Sequence, residues 1–338
     1  MDLNPLLEQL PAKDPLTALP VMRQLVQGGP ATVAELVNGV GERFGDPAGV
    51  KPKYALHGLV HYASRPDADA ERKMVAETLA KQLAAKSSPD LKAFLCQQLQ
   101  LCGSTSEVPA LAGLLEDDTL CEPATQALTG IGGEAAAAAL RAALPAARGK
   151  RRVTLVNALG RFRDKAAAAE VRKSLEDEDT DMRIVARYAL SNMGDLASAG
   201  ALLKAAEGEP SYERAQAFDA CLRLARRLGE SGKADEAEKI LRPLAAKRTA
   251  AEDVHDRLAV LECLGAVLGA KAVSDMLAAL ASTDLKYRVA AARVALDLAM
   301  RLQKSEPAEA DKLAGKILEA TKEQAVLQQA QAMQAKGK

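Results

Sequence analysis

The sequence predicts an all-α protein of stacked antiparallel helix pairs, an α-solenoid, and three observations lead there. First, of 338 residues 48% are hydrophobic but only 3% aromatic, with no Trp. The apolar content sits mainly in Ala and Leu mixed with Glu, Lys and Arg, a helix-forming composition. Second, a basic residue recurs seven positions before a small-then-Leu step: Lys92, Arg152, Arg183, Arg214, Arg257 and Arg288, with Cys121 in the same frame. Successive starts lie 29, 31, 31, 31, 43 and 31 residues apart, and such a period marks a repeat architecture. Third, other columns fall into the frame unadjusted. Ten residues after each start lie Cys102, Ile131, Phe162, Met193, Leu224, Val267 and Leu298; six after lie Gln98, Ala127, Ala158, Ala189, Ala220, Cys263 and Val294, nearly all small.

Taken along the chain, residues 1–88 are the least periodic. Pro20 to Phe44, Tyr54 to Tyr62 and Ala68 to Ala85 each show helical spacing between Pro- or Gly-marked breaks, so this part reads as an N-terminal helical cap with irregular repeats. Residues 89–300 are the repeat array. Apolar residues at offsets 3, 6, 7 and 10 share one helical face, and Leu111, Leu140, Val171, Leu202 and Met276, nineteen after their starts, belong to a second helix. Gly103, Gly132 and Gly194 mark the turns, and Gly194→Val is expected to harm folding more than Gly45→Val. The 43-residue spacing after Arg214 predicts an enlarged repeat at 214–256. Residues 301–338 read as a C-terminal capping helix, continuous from Pro307, that breaks down into a frayed Gln/Ala/Lys tail.

A lone pair of such helices cannot bury both apolar faces, whereas stacked pairs share one core. Asp181-Met-Arg-Ile-Val-Ala-Arg-Tyr-Ala-Leu-Ser-Asn-Met-Gly194, followed by Leu196-Ala-Ser-Ala-Gly-Ala-Leu-Leu203, resembles the short bacterial type of HEAT repeat. The resemblance spans roughly residues 89 to 300. It implies an armadillo-like right-handed superhelix and is silent on function. In such repeats the basic column pairs with an acid or carbonyl of a neighbouring turn. That implies a structural ladder for Arg152, Arg183, Arg214, Arg257 and Arg288, with acids such as Asp181 and Asp284 as partners, in preference to a binding stripe.

The balance of 45 basic and 45 acidic residues removes the overall attraction that non-specific nucleic-acid or anionic-membrane binding uses. No run of about 18 apolar residues is expected to cross a membrane. The start, Met-Asp-Leu-Asn-Pro, lacks a signal-peptide pattern, so a cytoplasmic chain is expected, with an exported mature chain as the other possibility. Cys96, Cys102, Cys121, Cys221 and Cys263 form an odd set without a C-x-x-C pair, which points to free thiols. Cys102, Cys221 and Cys263 fall in core columns; Cys96 and Cys121 occupy variable ones.

Little chemistry is marked. His57 and His61 sit four apart, as a helical metal pair requires, but the Glu of H-E-x-x-H is missing and His255 is remote, so a structural role is expected and no metal is assigned. Asp177-Glu-Asp-Thr-Asp181 lacks the Gly and terminal Glu of a calcium loop and reads as a helix-capping turn. No G-x-S-x-G, P-loop or G-x-G-x-x-G pattern occurs, and Gly130-Ile-Gly-Gly133 opens an Ala-rich helix. Among HEAT-like families, the His-Glu steps of iron hydroxylases, the aromatic and basic surface of alkylpurine glycosylases and the Trp ladders of nuclear import carriers have no counterpart here. No catalytic, cofactor-binding or metal residue is assigned. The expected function is a non-catalytic protein–protein scaffold or adaptor that binds another protein or an extended peptide segment, without nucleic acid or membrane. The alternatives are a HEAT-like enzyme of the bilin lyase type and, further off, a nucleic-acid-binding solenoid.

Overall fold

A computed structural model describes residues 2–336 apart from 43, 86 and 208. The described residues form helices, with no strand among them. The chain divides into two compact units, Met1–Glu170 and Val171–Lys338.

In the first unit the helices are α1 (Asn4–Leu7), α2 (Pro15–Gln27), α3 (Gly29–Glu42), α4 (Val50–Ala63), α5 (Asp69–Leu83), α6 (Pro89–Cys102), α7 (Val108–Ala112), α8 (Cys121–Ile131), α9 (Gly133–Ala143) and α10 (Gly149–Phe162). Helices α2, α4, α6, α8 and α10 pack in succession as one layer, and α3, α5, α7 and α9 as a second. The two-layer stacking therefore runs through the aperiodic N-terminal segment as well as the visible repeats. Within that segment, the expected helical stretch from Pro20 to Phe44 is two helices: α2 begins at Pro15, capped by Asp14, whose side chain accepts from the Thr17 amide, and ends at Gly28.

The sequence columns explain the packing. Offsets 3 and 7 are buried in every frame: Leu95/Leu99, Ala124/Leu128 and Leu155/Leu159 here, and Ala186/Leu190, Ala217/Cys221, Val260/Leu264 and Ala291/Ala295 in the second unit. Small residues let the helices approach closely. At Gly130 of α8 an added Cβ would lie 2.9 Å from the backbone oxygen of Gln100 in α6.

After α11 (Ala168–Arg172), the second unit continues with α12 (Thr180–Met193), α13 (Ala199–Ala206), α14 (Tyr212–Glu230), α15 (Ala234–Ala246), α16 (Val254–Leu268), α17 (Val273–Leu280), α18 (Leu285–Leu302), α19 (Pro307–Ala320) and α20 (Gln324–Lys336). Helices α12, α14, α16, α18 and α20 form one layer; α13 packs on α15, and α17 on α19, in the other. The enlarged repeat is a lengthened pair: α14 has 19 residues and α15 has 13, against 14 and 8 in α12 and α13.

Three expectations need correction. The segment after Pro307 is two helices: extended backbone at Thr321 (φ −134°) ends α19, and the Thr321 hydroxyl accepts from the Glu323 amide ahead of α20. In place of a frayed tail, α20 buries Val326, Ala330 and Met333, a stripe spaced four and three apart that packs against α18 and α19. The tail's last two residues, 337 and 338, lie outside the described residues. Val254–Leu280 does reach the length and composition of a membrane span, with a mean hydropathy of 1.6. Gly269, at φ +57°, divides this run into α16 and α17, and half of the apolar window is buried inside the protein. Finally, Gly45 is as conformationally demanding as Gly194, because φ is +86° at the first and +70° at the second, where Gly194 closes α12 in the left-handed region.

Candidate functional site

The basic column is mostly a set of structural bonds. Arg152 donates from Nη1 to the Leu144 carbonyl and from Nη2 to both the carbonyl and the carboxylate of Glu170, each at 3.2 Å. Arg183 donates from Nε and Nη2 to the two carboxylate oxygens of Glu213 at 2.7 Å, and from Nη1 to the carbonyls of Asp177 and Glu178. Arg187 adds a bond of 2.6 Å to Glu213. The hydrogen bonds from Arg183, then those from Arg187, hold the Glu213 carboxyl at about 2. Arg257 bonds Asp284 at 3.2 Å and lies over the Tyr287 ring, 3.6 Å from its centroid. Arg288 donates to the Ser282 carbonyl, and Arg214 makes no side-chain bond among the described residues.

The ladder is present, but its acids are not the expected ones. Asp181 does not partner Arg183: the partner, Glu213, comes from the next helix pair, and Asp284 serves Arg257 instead of Arg288. The reason is reach. An Arg in the first turn of a layer helix points across to its neighbour in the stack, where an acid in the first turn of the next helix also favours the positive helix end. The acidic stretch is a capping turn, with Asp177 Oδ1 accepting from the Asp179 amide and Asp179, the N-cap of α12, accepting from the Asp181 amide.

A second arginine ladder escaped the sequence reading. Arg141 bonds Asp164, and Arg172 bonds Asp195 at 2.6 Å; both pairs are separated by 23 residues. Asp164 is buried and also caps the turn Lys165–Ala167 through the Ala167 amide. Arg242 makes the analogous bond to Asp275 in the enlarged repeat. The signal was an Arg and an Asp each recurring after 31 residues, off the column used for alignment.

All five cysteines are buried and free, including Cys96 and Cys121, which the columns left unplaced. Burial pushes Cys96, Cys102 and Cys221 up to about 12, Cys263 up to about 11, and Cys121 upward as well. Thiols in that state are small hydrophobes, not nucleophiles.

His57 and His61 do share a face of α4. Their Nε2 atoms are 3.2 Å apart, and His57 Nδ1 lies 2.9 Å from Gln98 Oε1. One consistent proton arrangement runs from His61 Nε2–H to His57 Nε2, and from His57 Nδ1–H to Gln98. Desolvation, then the neighbouring His57, lowers the pKa of His61. This chain of bonds accounts for Gln98, the one long polar residue in a column of small ones: buried in α6, it is the partner of an imidazole on α4. No group of three His, Cys, Asp or Glu that could hold a metal occurs among the described residues.

Two concavities with both apolar and charged walls stand out, one in each unit. In the first unit a groove of about 500 Å³ between α2 and α4 is floored by Ala18, Met22 and Gly58 and edged by Lys13, Leu19, Tyr54, His61 and Arg65. Leu19 and Tyr54 of its lining are exposed, and Leu16, outside the lining on the same helix α2, is 77% exposed. In the second unit a cavity of about 410 Å³ lies among α15, α16, α17 and α18, with Val260, Leu261 and Leu264 on its apolar side and Arg248, Arg257, Asp275 and Tyr287 on its polar side.

Comparison with known proteins bears on the repeats. The family model for HEAT repeats matches residues 146–222. Comparison with curated proteins finds no match. Among solved structures, an engineered protein is 17% identical over 100% of this chain and 98% of its own, with a TM-score of 0.41. Human deoxyhypusine hydroxylase in complex with glycerol is 16% identical over 80% of this chain and 100% of its own, with a TM-score of 0.36. A Kap121p mutant is 11% identical over 98% of this chain and 42% of its own, with a TM-score of 0.45. With its sequential helix packing, the chain is an all-α protein of stacked helix pairs, and its residues 146–222 match the HEAT-repeat model.

Proposed function

We propose that the protein is a non-catalytic adaptor, working in a reducing compartment such as the cytoplasm, that holds a short segment of another protein in the groove between α2 and α4. The observation that supports this reading is the exposure of Leu19 and Tyr54 on the lining of a concavity with an apolar floor, with the exposed Leu16 on the same helix. Single exposed hydrophobics are ordinary, whereas several around one groove suit insertion of a partner's side chain. Lys13 stands on the rim with no acid partner among the described residues, Arg23 donates to the hydroxyl of the lining Tyr62, and Arg65 is shared with Glu71. The segment that fits carries a bulky apolar residue flanked by carboxylates.

The test is panning of displayed 12-residue peptides on the full chain, with the Leu16→Asp/Leu19→Asp variant as the counter-screen. Enrichment of apolar residues beside Asp or Glu, lost on the variant, supports the adaptor reading. Failure to enrich any peptide, or enrichment that survives the double substitution, refutes it.

A further inference from the structure

We propose that His57 and His61, on the exposed face of α4, form a binding site for a divalent late first-row transition metal ion such as Zn²⁺, Ni²⁺ or Cu²⁺. The site needs no occupant of the groove and stands apart from the adaptor reading. Its geometric basis is the approach of two nitrogens: Nε2 of His57 and Nε2 of His61 are 3.2 Å apart, with the ring planes at 86° to each other. Zinc takes imidazole nitrogens at about 2.0–2.1 Å, so two of them on one ion stand about 2.9 Å apart at a right angle and about 3.4 Å apart at the tetrahedral angle. The pair already has the spacing of a chelate. In the protein alone one proton bridges the two nitrogens; the ion takes its place when neutral His61 shifts that proton to its own Nδ1.

A buried side chain fixes the first ligand. Gln98 is 1% exposed; its Nε2 donates to the Phe94 carbonyl at 3.4 Å, which leaves Oε1 facing His57 Nδ1 at 2.9 Å. An amide oxygen only accepts, so His57 carries its proton on Nδ1 and presents Nε2 as a lone pair. Histidines that bind metals are oriented in this way, through a partner for the other ring nitrogen. Both imidazoles are exposed, so an ion reaches them from solvent. The charges beside His61 are balanced, since Arg65 is paired with Glu71 and Asp14 stands in the same lining as Lys13. The Glu missing from H-E-x-x-H is the general base of a hydrolytic site, not a ligand; its absence removes that chemistry and leaves the binding. Two nitrogen donors select against Mg²⁺ and Ca²⁺, which take oxygen. No third His, Cys, Asp or Glu completes the set among the described residues, so the ion keeps positions open to water.

The experiment uses the untagged full chain, freed of metal by a chelator, and titrates Ni²⁺, Cu²⁺ and Mg²⁺ by calorimetry, with thermal melting in parallel. One equivalent of Ni²⁺ should bind and raise the melting temperature, Cu²⁺ should bind more tightly, and Mg²⁺ should do neither. His61→Ala, at an exposed position, should fold like the parent and bind Ni²⁺ at least about tenfold more weakly. Gln98→Ala, which places the small residue usual in that column, should weaken binding about tenfold by releasing His57. His255→Ala should leave it unchanged. Absence of saturable Ni²⁺ binding overturns the proposal. So do equal uptake of Mg²⁺, affinity undiminished in His61→Ala or Gln98→Ala, or an equal loss in His255→Ala.

Discussion

The arginine ladder of the second unit and the groove of the first make opposite use of the same kind of surface. Around α12 and α14, Arg183 of the recurring basic column is largely withdrawn from water together with Arg187 and Glu213, and the three satisfy each other and nearby carbonyls. On α2 and α4, Leu16, Leu19 and Tyr54 follow no repeat column and stand exposed. A column that recurs along the chain is explained by what most repeats use it for, a bond within the stack. A feature present once calls for another explanation.

The comparison is broken most directly at Glu213. Glu213→Ala strands two guanidiniums at once and should cost about 1–3 kcal/mol, read as a melting temperature lower by several degrees, because the stranded partners lose more than the bond itself was worth. Arg183→Ala should shift melting in the same direction. Neither the parent nor that variant should bind heparin with steep salt dependence; salt-sensitive binding by the parent alone would turn the ladder into a binding stripe.

Acid sharpens the contrast. The Glu213 carboxyl is depressed from an ordinary 4.5 to about 2, so it binds protons more readily unfolded than folded. Its stabilisation is complete above pH 4.5 and is lost as pH falls from there toward 2. Equilibrium unfolding of the parent should therefore weaken more over that interval than that of Glu213→Gln. Parallel profiles would remove Glu213 from the account.

Smaller effects test the turns. Gly194→Ala places a Cβ in the left-handed region at the end of α12 and should cost about 1 kcal/mol. Gly200→Ala adds a Cβ in open space at an exposed position of α13 and should gain about 0.4–1 kcal/mol. Equal denaturation midpoints would contradict the backbone argument. Smallest of all, Leu16→Asp/Leu19→Asp should leave stability within about 0.5 kcal/mol, as surface changes do.

The sequence carried most of the fold and little of the site, for physical reasons visible in single residues. Leu99, Leu128, Leu159 and Leu190 must be buried in each pair alike, so their periodicity marks the architecture. The partners of the basic column were misassigned because Glu213 is thirty residues from Arg183, and which acid an arginine reaches depends on the neighbouring helix, not on sequence proximity. Asp164 and Asp195 were legible in principle as a 31-residue recurrence. Gln98 was visible as a departure from its column, yet its partner His57 lies on a helix outside the clear repeats. The groove had no signal, since Leu16 and Leu19 look like any helical apolar residues until their exposure is known.

The central claim, that the ladder holds the protein together while the groove holds its partner, is tested most directly by the affinity of one panned apolar–acidic peptide for two folded variants. Glu213→Ala, measured well below its melting temperature, should keep the parental Kd, and Leu16→Asp/Leu19→Asp should bind at least about tenfold more weakly. Parental affinity in the groove variant together with loss in Glu213→Ala would contradict the account and move the interaction surface to the arginine column.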